Sequence, residues 1–190
     1  MRTLWPLTLV VTLAACTPTA GPSASPTPAP SYTCSPAGST PSPCSQADYE
    51  KTQAQNQLAA EAEQVYRRYF AENVRILRAG NVTEATPEMK ATLAEDALAD
   101  TLQLYRDYAK DKVRFKGGEI KLKTLEPRFD LTENGSTVVL QACWDASSTN
   151  IETRGKPGDA GQIVGERAFM REVDGQLRIV VFYSRGQDKC

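Results

Sequence analysis

From Leu58 the apolar positions recur every three or four residues: Leu58, Ala62, Val65, Tyr66, Tyr69, Phe70, Ile76 and Leu77. That period predicts a long helix with one broad buried stripe. Ser45-Gln46-Ala47-Asp48 precedes it in the form of a capping box, with Ser45 as N-cap, and Gly80 suits the left-handed residue that ends it. Thr86-Pro87-Glu88 starts again with N-cap, proline and first-turn acid. Met89, Leu93, Ala97, Leu98, Leu102, Tyr105 and Tyr108 then keep helical spacing to about Lys112. This stretch is either one helix bent near Glu95 or two.

After Gly117-Gly118 the period falls to two. Ile120–Leu122 and Phe129–Leu131 flank Pro127 and predict a bent or bulged edge strand, followed by a turn at Asn134-Gly135. Val138–Trp144 reads as a buried strand. Ser147–Gln162 reads as a loop with a short strand at Thr149–Thr153. Ile163–Val173 and Leu177–Ser184 form a hairpin across Asp174-Gly175. Helices followed by an antiparallel meander predict an α+β domain, with the helices packed on one face of the sheet.

The N-terminus has a different pattern. Met1-Arg2 and an apolar run from Leu4 to Leu13 end at Leu13-Ala14-Ala15-Cys16. This is the layout of a signal peptide over residues 1–15, and the run is far short of the ~20 residues a membrane span needs. Residues 16–45 are dominated by Pro, Ser, Thr, Ala and Gly without a charged side chain until after Ser45, so they read as a linker. One domain is expected over 46–190.

Composition narrows the chemistry. The chain has 22 basic and 23 acidic residues and no histidine. Nucleic-acid binding is disfavoured, and catalysis or metal binding through imidazole is excluded. No phosphate loop, zinc motif or calcium loop occurs, so no cofactor is expected. The five cysteines are an odd number. Setting aside Cys16 leaves Cys34, Cys44, Cys143 and Cys190, an even set for an oxidising compartment. Of the three pairings, Cys34–Cys44 and Cys143–Cys190 are favoured. The first closes a short loop with little structure to stabilise, and the second clamps the last strand to a core strand. Chain entropy assigns them about 3 and about 4 kcal/mol. Cys143 as a free nucleophile lacks a histidine to activate it.

Leu-Ala-Ala-Cys resembles the lipobox of bacterial lipoproteins. The resemblance implies a lipid (palmitate-type acyl) anchor on Cys16 after cleavage. Cys143-Trp144-Asp145-Ala146-Ser147, with Gly186 and Cys190 behind two or three helices, resembles a group of actinobacterial exported lipoproteins. Their domain is similar to the nuclear-transport-factor-two-like cone, a curved antiparallel sheet closed by helices. The resemblance covers roughly residues 46–190. Leu177-Arg178-Ile179 stands where the group usually carries a tryptophan in the last strand. The implied location is the outer face of the cell membrane, with the membrane itself as partner through the anchor.

Candidate pocket residues are Tyr66, Tyr69, Phe70, Tyr105, Trp144 and Asp145, with Phe169 and Phe182 as further aromatics. They fit core packing first, and a small apolar ligand or an envelope protein as partner second. Asp145 with Ser147 is expected to bond backbone where the strand leaves the sheet. The rival role is a catalytic carboxylate facing a tyrosine, as in isomerase or dehydratase sites of the cone fold. Glu166-Arg167 and Arg171-Glu172 read as the wet face of a hairpin. Lys110, Lys112, Arg114, Lys116, Lys121 and Lys123 read as a solvated helix end. The function expected is a non-enzymatic binding or interaction module. A small-molecule enzyme and a structural part of an envelope or conjugation-type assembly are the alternatives.

Overall fold

In the computed structural model the stripe from Leu58 is part of α1, Gln46–Ala79. The structure describes residues 31–190 apart from Gly38 and Asn134. The expected signal peptide, Cys16 and the first half of the expected linker lie outside the described residues. Ser45 Oγ accepts the Asp48 amide at 3.2 Å and donates to its carboxylate at 2.7 Å. Gly80 ends the helix at φ 61, and its N–H reaches the Ile76 carbonyl. A Cβ at Gly80 would lie 2.3 Å from the Val113 carbonyl oxygen, so close approach adds to the demand for glycine.

The second helical stretch is two helices, α2 at Pro87–Thr92 and α3 at Glu95–Asp111. The break has a tertiary cause. Leu93 is fully buried and bridges Ile179, and the Ala94 amide donates to the Ile179 carbonyl at 2.9 Å. These two residues are extended to serve a strand edge, which an α-helix cannot do. Glu95 then opens α3 at φ 53.

The compact unit runs from Ser31 to Cys190 and takes in part of the segment expected as linker. Strands β1 (Tyr32–Cys34) and β2 (Ser42–Cys44) form a hairpin closed by the Cys34–Cys44 disulfide. It docks on α1. Asn56 Nδ2 donates to the Ser35 carbonyl at 2.9 Å, Asn56 Oδ1 accepts the Ala37 amide at 3.1 Å, and Tyr32 packs on Tyr49. The short loop therefore has structure to stabilise after all.

The remaining strands are β3 (Val113–Lys116), β4 (Lys121–Arg128), β5 (Val138–Asp145), β6 (Asn150–Thr153), β7 (Lys156–Ala160), β8 (Ile163–Val173) and β9 (Gln176–Gln187). They make two antiparallel sheets, ordered β3-β6-β7 and β4-β5-β8-β9. The fold is α+β, with helices and antiparallel strands in similar measure. Pro127 sits in edge strand β4, which has a bulge between Leu122 and Thr124. Phe129–Leu131, expected as a strand, is a short 3-10 turn instead. Strands β3 and β7 lie where a helix end and a loop were expected. Arg154-Gly155 joins β6 to β7 with both φ positive, a tight hairpin turn, as Asp174-Gly175 joins β8 to β9.

The core lies between α1 and the four-stranded sheet. Ala62, Val65, Tyr66, Tyr69, Ile76 and Leu77 meet Val138, Leu140, Ala142, Ala168, Met170 and Ile179. Cys143 alternates with the core residues Ala142 and Trp144, so it faces the opposite side of the sheet. There the Cys143–Cys190 disulfide fastens the C-terminus, and Gln187 covers Gly165. A side chain at Gly165 would displace that glutamine: its Cβ would stand 2.6 Å from Gln187 Oε1.

Candidate functional site

Neighbouring residues in a strand point to opposite sides, so Glu166 and Arg167 cannot share a wet face. The register of β8 turns Glu166 inward with Ala168, and Arg167 outward. Glu166 is only 6% exposed. It pairs across the sheet with Ser184 on β9 and lies under Tyr66 of α1. Oε1 accepts the Tyr66 hydroxyl at 2.7 Å, and Oε2 accepts the Ser184 hydroxyl at 2.9 Å. Burial holds this carboxyl above the usual carboxylate range, while the two hydrogen bonds pull the other way. The hydroxyls around it respond in kind. Burial, and then the charge of Glu166, push Tyr66, Tyr69 and Tyr105 upward. Tyr105 donates to Asn73 Oδ1 at 2.7 Å, which satisfies a second buried polar pair.

Glu166 borders a cleft of about 830 Å³. One wall is α3, with Ala97, Thr101, Leu104 and Tyr105. The other is the second half of β9, with Phe182 and Ser184. Tyr69, Asn73 and Leu77 of α1 line it with Trp144 and Phe115. Leu104 is 46% exposed at the mouth. Glu95, Asp96 and Asp100 line the α3 side, where Glu95 is paired with Arg171 at 2.5 Å. The volume lies within the ~300–1,000 Å³ of small-molecule sites, and the walls mix apolar surface with a few polar groups. A smaller depression of about 460 Å³ lies around Cys143 and Cys190, bordered by Glu126, Arg167 and Arg185.

The structure gathers part of the expected pocket. Tyr69, Tyr105, Trp144 and Phe182 line the cleft. Tyr66 reaches it through Glu166. Phe70 packs on Trp144 at 6.3 Å between centroids. Phe169 is on the other face, edge-on to Tyr183 at 5.2 Å. Asp145 is not in the cleft. Its Oδ1 accepts the Ser147 amide at 2.9 Å and the Ser147 hydroxyl at 2.6 Å, which hold it below the usual range. The backbone bond expected for Asp145 is present, and its place among the candidate pocket residues is corrected: it stands outside the cleft. The basic residues are also not one helix end. Lys110 and Lys112 close α3, Arg114 and Lys116 are on β3, and Lys121 and Lys123 are on β4. Among the described residues, no His/Cys/Asp/Glu group of three could hold a metal ion, and no helix is long and apolar enough to cross a membrane.

Glu166 is the site residue that sequence reading missed. The signal was its parity: it stands two residues from Val164 and two from Ala168, on the apolar phase of β8. Comparison with known proteins finds no family model, curated protein or solved structure that matches the chain.

Proposed function

We propose that this chain is an exported lipoprotein of the cell envelope, anchored by Cys16, whose cone-type α+β domain binds a small molecule in the cleft between α3 and β9. The observation that carries this reading is the cleft itself, with aromatic walls and a buried carboxyl among its lining residues. Helices on one face of a four-stranded antiparallel sheet agree with the nuclear-transport-factor-two-like arrangement. The Leu-Ala-Ala-Cys motif and the paired remaining cysteines agree with export and lipidation. Binding without turnover is the reading favoured: the Tyr66 and Ser184 hydroxyls fix Glu166 as an acceptor, one on each oxygen, and leave each oxygen a lone pair for a ligand. A proton-transfer enzyme is the second reading, and it rests on Glu166 in place of Asp145. An assembly role has less to recommend it, since Leu104 and Tyr183 are the exposed large hydrophobic residues among those described.

The test uses N-phenylnaphthylamine, a neutral apolar fluorophore. The soluble domain should enhance its emission, and Thr101→Trp, which fills the cleft, should weaken binding about tenfold with circular dichroism unchanged. Equal binding by the folded variant would sink the cleft reading. For the anchor, Cys16→Ser should leave the membrane fraction.

A further inference from the structure

We infer that the ligand of this cleft is an organic cation, an ammonium group on an apolar body, with Glu166 as its counter-charge. The inference rests on the cleft being the binding site and names the ligand class. Three observations converge.

First, Glu166 is buried without a cationic partner: none of the ion pairs among the described residues includes it. Its two partners are neutral hydroxyls. A carboxylate offers about four acceptor positions, so two remain for a ligand donor. Burying an ionised acid without a cation is costly. A cationic ligand beside the carboxyl would lift that cost, and a neutral one would not.

Second, Tyr69, Tyr105 and Phe182 line the space beside the carboxyl. Aromatic rings attract ammonium groups through their quadrupoles, more so where water is excluded. Third, the charges along the cleft are unbalanced. Four acids, Glu95, Asp96, Asp100 and Glu166, stand against Arg171 and Arg185, and Arg171 is already taken by Glu95. Asp96 and Asp100 on the exposed rim would draw a cation toward the mouth.

The experiment titrates the domain calorimetrically with three probes that share one ring system: naphthylmethyl-trimethylammonium, naphthylmethanol and naphthalenesulfonate. The cation should bind at least about tenfold tighter than the alcohol, and the sulfonate weakest. Glu166→Gln should abolish the preference, bringing the cation's affinity down to that of the alcohol. The double variant Asp96→Asn with Asp100→Asn alters exposed side chains, so it keeps the test open if Glu166→Gln misfolds. It should reduce cation affinity about two- to fourfold and narrow the ratio of cation to alcohol affinity by the same factor. If the alcohol or sulfonate binds as tightly as the cation, the charge inference is overturned and the cleft reading stands. If no probe binds, both fall.

Discussion

Replacing Glu166 by Gln isolates a buried acid that joins no ion pair among the described residues. The wild-type carboxyl is 6% exposed and is held by burial above its ordinary value of 4.5. A group whose native pKa is raised keeps its proton longer in the folded state than in the unfolded state. Its stabilising contribution is therefore complete below pH 4.5 and is lost as pH rises through the native pKa. One proton sets the limit: stability should fall by at most about 1.4 kcal/mol per pH unit inside that window. Glu72 and Asp145 are held below their ordinary values and act with the opposite sign at lower pH, but they are common to both proteins. Urea unfolding of both proteins, disulfides intact, at steps from about pH 4 to about pH 8 reads the difference. The wild-type stability should decline relative to the glutamine variant as pH rises above 4.5. Beyond the native pKa the difference should level off. Parallel pH profiles would refute the reasoning, since they would mean that Glu166 titrates as it does in water.

Other perturbations address the frame around the cleft. Serine at both Cys143 and Cys190 opens a loop with 47-residue separation, and urea unfolding should show a loss of about 4 kcal/mol. Arg78 donates to the carbonyls of Phe115, Gly117 and Gly118 at 2.9, 2.6 and 2.8 Å, so it fastens α1 to the turn after β3. Arg78→Ala should cost roughly 2–3 kcal/mol, read as a lower melting temperature. Asp145→Ala removes a turn cap outside the cleft, so it should cost about 1 kcal/mol and leave N-phenylnaphthylamine binding unchanged.

What the sequence disclosed and what it hid follow physical lines. The stripe of α1 was readable because it is long and one-sided, and its Ser45 and Gly80 ends depend on local chemistry alone. Strands β8 and β9 were readable because period-two alternation runs to a two-residue turn. The disulfides followed from an even set of cysteines with one pair close in sequence. By contrast, β3 has only Val113 and Phe115 to alternate, and β7 is exposed throughout and contains Pro157 and Gly158. Partner strands, not local pattern, hold these two. The break at Leu93-Ala94 arises from a bridge to Ile179, some 90 residues on, which no window around it contains. Glu166 was hidden by its type. A charge in an alternating strand is assigned to solvent, whereas inside the fold this one is met by the hydroxyls of Tyr66 and Ser184.

The central claim is that ligand enters between α3 and β9, beside Glu166. Amide chemical shifts of the isotopically labelled domain, followed during titration with N-phenylnaphthylamine, test it most directly. The account expects the largest changes at Ala97–Tyr105 of α3 and Phe182–Gly186 of β9. Changes centred on Cys143 and Arg167 of the opposite sheet face, or none at saturating probe, would contradict it.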